Sequence, residues 1–284
     1  MKAVIEQRRT MIIGLDVGGT NTDVVLIGKD RILRRAKVPT DYSNLFESVW
    51  AGLDQITSGI PPESIGRAVL STTLTTNAIV EGKLAGTGMI VCSGPGMDPE
   101  LFRTNEHYSC VSGSIDHRGR EIQPIDPGEI RAIASRWRSE GLTQVGIVGK
   151  FSVRNPKQEI EIQDLLGDGF DYTVLGHRLS GNLGFPRRIA TAYLNASVYP
   201  IHRTFFEAVS NSLEKKGLQI PIYILKADGG TMNLESSMDY PGQTILSGPA
   251  ASVMGSLPFA SENGETLVLD IGGTTTDMAV LVRG

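Results

Sequence analysis

The chain has 284 residues, 40% of them hydrophobic and 20% charged, with a formal net charge of −4. It is long enough for two domains with substantial cores, and its acidic balance excludes a nucleic-acid surface or a basic membrane-binding face. No apolar stretch approaches bilayer length, the N-terminus lacks an apolar signal core, and Cys92 and Cys110 have no disulfide or zinc spacing, so the expectation is a cytoplasmic protein with reduced thiols.

In chain order, Met11 to Asp16 and Asp23 to Ile27 read as strands joined by a tight Gly/Thr/Asn hairpin, and Arg31 to Val38 as a third strand. Leu45, Val49, Leu53 and Ile56 recur at helical spacing and predict a one-faced helix. Arg67 to Leu70 is strand-like and runs into the hydroxyl-rich stretch Ser71 to Asn77, where a helix start would make an anion site. From Thr87 to Pro186 strand and helix patterns alternate, with Met89–Cys92, Val145–Val148 and Tyr172–Leu175 as strands, which implies parallel α/β pairing. Asp126, Pro127, Glu129 and Gly141 punctuate one helix as cap, first position, capping-box residue and stop. Pro186 to Lys216 reads as a long helical region with a kink or break at Pro200. Ile220 to Lys226 is a strand ending in Asp228-Gly229-Gly230, Ser247-Gly248-Pro249 opens a small-residue helix close to its neighbour, and Thr266 to Val282 predicts a last hairpin.

That last hairpin repeats the first. Leu15-Asp16-Val17-Gly18-Gly19-Thr20-Asn21-Thr22-Asp23 returns as Leu269-Asp270-Ile271-Gly272-Gly273-Thr274-Thr275-Thr276-Asp277, with apolar β-branched runs on both sides of each copy. A glycine pair after a strand lets backbone approach phosphate oxygens with no Cβ between them. Threonine hydroxyls and loop N–H groups supply the hydrogen bonds. A carboxylate beside a polyphosphate needs a divalent cation between the two, usually Mg²⁺ with retained waters. Asp16 and Asp270 are therefore the candidate catalytic and metal-shell residues. Gly18, Gly19, Thr20, Asn21 and Thr22, with Gly272, Gly273, Thr274 and Thr275, are the candidate phosphate cradles. Asp23 and Asp277 read as braces of their own hairpins. No P-loop and no G-x-G-x-x-G after a strand is present.

The duplicated D-[VI]-G-G-T-x-T-D resembles the two phosphate motifs of the actin, sugar kinase and Hsp70 superfamily of ATPases. Further segments resemble the hydantoinase A/5-oxoprolinase family: Ser71-Thr72-Thr73-Leu74-Thr75-Thr76-Asn77-Ala78, Arg118-Gly119-Arg120 before Pro124-Ile125-Asp126, Tyr193-Leu194-Asn195-Ala196, Asp228-Gly229-Gly230, and Leu246-Ser247-Gly248-Pro249-Ala250-Ala251. They stand in the family's order from Met11 to Val282. The resemblance implies an α/β fold with a ribonuclease-H-like, actin-like ATPase core and an inserted α/β region. It divides the chain into a first lobe (1–83) with the first phosphate hairpin, the insert (84–185), a helical return segment (186–219) and the start of a second lobe (220–284). Because superfamily members continue well past their second hairpin, the second lobe is expected to be truncated and the chain a fragment.

The implied activity is MgATP-dependent opening of a cyclic amide such as 5-oxoproline or a hydantoin, with ATP and Mg²⁺ as cofactors. Phosphorylating the amide oxygen makes a poor electrophile open to water, and the protein mainly positions groups and neutralises charge. The alternatives are an ATP-handling subunit of a ketone carboxylase and an ATPase that remodels a partner enzyme. A hydantoinase B-like partner subunit and a small-molecule substrate are implied, and a homo-oligomer is compatible with both. Candidate substrate contacts are Thr72, Thr73, Asn77, Asp228 and His177. The stretch His177-Arg178-Leu179-Ser180-Gly181-Asn182-Leu183-Gly184-Phe185-Pro186-Arg187-Arg188 departs from the family's acidic pattern, which bears on the identity of the substrate.

Overall fold

A computed structural model describes residues 10–29, 31–261, 264–272 and 276–282. The chain forms two compact units, one made of residues up to Gly82 together with Ile201 onward, the other of Lys83–Pro200.

The first unit opens with β1 (Met11–Val17) and β2 (Asn21–Gly28), an antiparallel pair in which Asp16 faces Asp23. β3 (Arg31–Pro39) extends the pair, antiparallel to β2. Side chains alternate across a strand, so Ile13, Leu15, Val17, Val24 and Leu26 are buried on one face. α1 (Leu45–Thr57) covers that face with Val49, Leu53 and Ile56. The Asn44 side chain starts it by accepting from the Glu47 N–H at 3.3 Å. Gly52 permits the close approach, since a Cβ there would stand 2.5 Å from Val24 Cγ2. β4 (Ile65–Thr72) lies parallel to β1 and leads into α2 (Leu74–Val80).

The second unit carries β5 (Thr87–Cys92), β6 (Tyr108–Cys110), a small antiparallel ladder of β7 (Ser114–Ile115) and β8 (Glu121–Gln123), α3 (Pro127–Ser139), β9 (Gln144–Gly149), α4 (Lys157–Leu166), β10 (Tyr172–Leu175) and α5 (Gly176–Leu179). Its main sheet has the order β10-β9-β5-β6 with every pair parallel. Asp126 caps α3 by accepting from the Gly128 N–H at 2.8 Å. Glu129, however, does not close a capping box. Its Oε2 accepts instead from the N–H and hydroxyl of Ser112 at 3.0 and 2.8 Å, because a tertiary donor pair outcompetes the single local one. Both cysteines are free; Cys92 is buried and its thiol pKa is pushed far up by desolvation.

α6 (Phe185–Lys215) follows as one helix with Pro200 inside it, where the sequence suggests a kink or break. Its residues from Ile201 belong to the first unit, to whose core Phe205, Phe206, Val209 and Leu213 contribute. β11 (Ile222–Leu225) joins parallel to β4, and β12 (Thr231–Asn233) joins antiparallel to β11. The resulting sheet runs β12-β11-β4-β1-β2-β3. After α7 (Leu234–Asp239) and α8 (Ser247–Ser256) come β13 (Thr266–Ile271) and β14 (Thr276–Leu281), a separate hairpin with Asp270 opposite Asp277. It repeats the register of the first hairpin, yet the side chains equivalent to its buried face (Leu267, Leu269, Ile271, Met278 and Val280) are 51–75% exposed. Among the described residues no helix is long and apolar enough to cross a membrane.

His202 is buried in the first unit, 4.4 Å from the Phe206 ring, with Nε2 3.3 Å from the Ser237 hydroxyl and no partner at Nδ1. Burial pushes its pKa down to about 3. The folded state therefore refuses a proton that the unfolded chain accepts below about 6.5. Its contribution to stability is complete above that value and is lost as pH falls toward 3, amounting to about 2 kcal/mol at pH 5. Urea midpoints at pH 7 and pH 5 should thus differ more in the wild type than in His202→Gln, and equal pH dependence in the two would refute the assignment.

Candidate functional site

The site lies in the first unit, where β1 and β4 end and β2 begins beside the loop of the first hairpin. Asp16 stands opposite Ser71 in the parallel β1–β4 register, and the Ser71 hydroxyl donates to Asp16 Oδ1 at 2.6 Å. Burial raises the Asp16 pKa above the ordinary carboxylate range. The Ser71 bond and Lys37 oppose the rise, while the charges of Asp23 and Asp270 add to it. In the loop, the Gly18 N–H donates to the Asn21 carbonyl at 3.0 Å. Gly19 is where two polar side chains close on the backbone: a Cβ would stand 3.1 Å from Asn77 Nδ2 and 3.4 Å from the Tyr42 hydroxyl.

α8 brings the second hairpin to the same place. A Cβ on Gly248 would stand 2.6 Å from Thr73 Cγ2, so only glycine lets α8 sit against the β4–α2 corner without displacement. Ser247 Oγ donates to the Thr72 carbonyl at 3.0 Å, and Leu246, in the left-handed region at φ 66°, donates its N–H to Thr76 Oγ1 at 2.9 Å. One turn further along α8 the Ser252 hydroxyl donates to Asp270 Oδ2. The sequence expectation of close packing at Ser247-Gly248-Pro249 thus has a geometric form.

The two hairpins line one open cleft of about 240 Å³. Around it stand Asp16, Gly18, Gly19, Thr20, Asn21, Asp23, Lys37, Thr73 and Asn77 from the first half, with Asp270, Ile271, Gly272 and Asp277 from the second. Four carboxylates and one ammonium share it. In each hairpin two aspartates occupy directly opposed positions, a like-charge arrangement that costs stability. Such a cluster suits a hard, oxygen-seeking cation. Among the described residues no three His, Cys, Asp or Glu side chains are placed to hold a metal ion by themselves.

Other sequence candidates fall elsewhere. Thr22 is fully buried and shares a hydrogen bond with the Thr40 hydroxyl at 2.9 Å. Strand alternation turns Asn21 and Asp23 toward the cleft and Thr22 away from it. Thr72 is also buried, with its hydroxyl donating to the Val17 carbonyl at 3.2 Å and accepting from the Leu74 N–H at 3.1 Å. Asp228 sits in the exposed β11–β12 turn, paired with Lys226 at 2.9 Å and accepting from the Gly230 N–H, and does not line the cleft. His177 belongs to the other unit, where its Nδ1 is 2.5 Å from Glu159 Oε2. Gly273, Thr274 and Thr275 lie outside the described residues.

The sequence reading did not single out Lys37 or Ser252, placed Ser71 only within an anion-site stretch, and read Asp23 and Asp277 as braces of their hairpins. Cross-strand register reveals Asp23 and Lys37, since Asp23 pairs with Asp16 on one side and Lys37 on the other. Ser252 has no sequence signal. It reaches Asp270 through the placement of α8.

The similarities of this chain point to one family. Residues 12–168 match the model of the hydantoinase/oxoprolinase N-terminal region, and residues 188–284 match that of hydantoinase/oxoprolinase. The chain is 24% identical to caprolactamase subunit alpha of Pseudomonas jessenii over 96% of its own length and 43% of that protein's. It is 24% identical to 5-oxoprolinase 1 of Arabidopsis thaliana over 98% of its length and 26% of the relative's. Its fold, mixed α/β, matches a nucleotide-free structure of acetone carboxylase with a TM-score of 0.82 at 20% identity, over 96% of this chain and 44% of that one. The chain spans less than half the length of each of these relatives. With both family models matched in order and nearly end to end, the chain belongs to the hydantoinase/oxoprolinase family.

Proposed function

We propose that this chain is the nucleotide-handling part of an ATP-dependent cyclic-amide hydrolase. The observation that carries the reading is the pair of Asp-x-Gly-Gly-Thr hairpins in matching register, both lining one cleft. The first unit's sheet order, with three antiparallel strands followed by parallel β4 and β11, supports a ribonuclease-H-like ATPase core.

The donor set fits MgATP. Asp16 and Asp270 offer only oxygen ligands, which Mg²⁺ prefers while keeping several waters, and the Gly19 backbone is open where a Cβ would crowd Asn77 and Tyr42. Mg²⁺, when bound, would supply charge neutralisation at the phosphates. The chain's own groups do the rest. Thr20 and the amides of Asn21 and Asn77 donate to phosphate oxygens, Thr73 closes the floor of the cleft, and Ser71 and Ser252 hold the two aspartates in orientation. This positioning is most of what phosphoryl transfer to an amide oxygen requires of a protein. Relatives named as enzyme subunits support a partner subunit, and a hydantoinase B-like subunit is the partner proposed for the amide-opening step.

The test is ATP turnover by the full-length protein, alone and with its partner subunit, against 5-oxoproline, a hydantoin, a larger lactam, and acetone with bicarbonate. Stimulation by a cyclic amide is expected. Stimulation by acetone and bicarbonate alone would replace this reading with a carboxylase one, and dependence on a protein alone would make the chain a remodelling ATPase.

A further inference from the structure

Lys37 is a basic side chain with no assigned task in a cleft otherwise ringed by acid. It projects from β3 on the side opposite buried Ala36 and Val38 and lies directly across from Asp23 in the β2–β3 register. Its Nζ stands 3.1 Å from Asp23 Oδ2, and both side chains remain about half exposed or more, at 62% and 48%. Among the described residues lining the cleft it is the single cation, set against Asp16, Asp23, Asp270 and Asp277.

An ion pair as exposed as this one contributes little to stability, so breaking it costs little. An ammonium carries three donors on a flexible stem, of which one carboxylate oxygen uses one. A polyphosphate entering between the hairpins brings more negative charge than Asp23 does, at a place where the aspartates repel it. The cleft therefore holds a movable cation with a weak present partner and a stronger prospective one.

We propose that Lys37 is the phosphate-binding cation of this cleft, kept in place by Asp23 and transferred to the polyphosphate when that enters. The proposal rests on the polyphosphate reading of the cleft given above. Asp23 is a positioning residue in it. Its charge holds the ammonium over the cleft when the cleft is free and competes with the phosphate for it afterwards.

Calorimetry with inorganic tripolyphosphate and Mg²⁺, on the full chain, tests this in four proteins: wild type, Lys37→Gln, Asp23→Asn and the double variant. Lys37→Gln should weaken binding by about 10- to 100-fold, as expected for loss of a charge-assisted hydrogen bond, and should flatten its salt dependence. Lys37→Arg should restore part of the affinity. Asp23→Asn should tighten binding, and clearly more so with Lys37 present than in the Lys37→Gln background, because the competition is for that ammonium. Both residues are on the surface, so thermal melts should confirm that all variants fold. If the wild type binds and Lys37→Gln binds within twofold of it, the proposal is wrong while the polyphosphate reading stands. It is equally wrong if Asp23→Asn tightens binding by the same factor in both backgrounds, which is the mark of general charge removal. If no protein in the set binds tripolyphosphate, the polyphosphate reading itself falls, and this one with it.

Discussion

Asp16→Asn should lower nucleotide-dependent turnover by about 100-fold or more, a loss typical of removing a group that stabilises transition-state charge, while leaving the fold at least as stable as before. Both halves follow from the same geometry. Asp16 is partly withdrawn from water near the end of β1, with Asp23 across the strand and Asp270 near, and its carboxyl pKa is raised in consequence. A carboxyl whose folded pKa lies above its unfolded value favours the folded state at low pH, and that advantage disappears as pH rises through the raised value. At neutral pH the ionised group is thus a cost to the empty protein. Asparagine keeps the shape and an acceptor for the Ser71 hydroxyl and removes the charge. Thermal melting and ATP turnover of the same preparation check the two halves together. A variant with lower melting temperature and lost activity would mean that Asp16 is structural, and one with undiminished turnover would remove it from the site.

Arg188→Met should cost about 3–5 kcal/mol, the usual consequence of stripping a buried carboxylate of its cation. Arg188 and Glu159 are both within 2% of full burial, 3.9 Å apart, in the second unit. Arg188 Nη1 donates to the Gly149 carbonyl at 2.9 Å and the Ser152 hydroxyl at 2.8 Å, and its Nη2 donates to the Lys150 carbonyl at 2.6 Å. Glu159 accepts from the Gly149 N–H at 2.8 Å and from the His177 N–H at 2.9 Å, besides the His177 ring. The network ties α4, α5 and α6 to the end of β9, so losing the guanidinium takes the cation from beside Glu159 and the Nη2 donor from the Lys150 carbonyl at once. Urea unfolding followed by the buried Trp137, in a Trp50→Phe background, should read the loss. Arg188→Lys should be only partly tolerated, because an ammonium cannot reproduce the planar fork. Replacing Glu159 by Leu together with Arg188→Met should recover stability. A loss below about 1 kcal/mol in Arg188→Met would show that the network carries little energy.

The same Arg188 marks the limit of what could be read from residues alone. In sequence it is one of two adjacent arginines at a helix start, a setting that suggests solvent or an anionic ligand. Its partner Glu159 sits on another helix, and only folding brings the two together. Glu129 illustrates the same limit more locally: its spacing from Asp126 fits a capping box, but Ser112 offers two donors from a distant loop and takes the carboxylate. Thr22 sits within the repeated motif like its neighbours and still faces inward, because position along a strand decides the side on which a residue lies.

The sequence by itself determined the two repeated Gly-Gly-Thr hairpins, the strands and helices that bear them and the family to which they belong. These depend on local chemistry: glycine where backbone must approach a ligand, apolar alternation where a strand must bury one face, and a motif repeated in order. Tertiary structure alone decided that both hairpins line one cleft, that Ser71 and Ser252 hold its aspartates, and that Asp23 and Lys37 belong to it. Those relations join residues from separate strands and helices through parallel pairing of β1 with β4 and the seating of α8 against Thr73, and burial and charge at a site are properties of such neighbours rather than of any segment of chain.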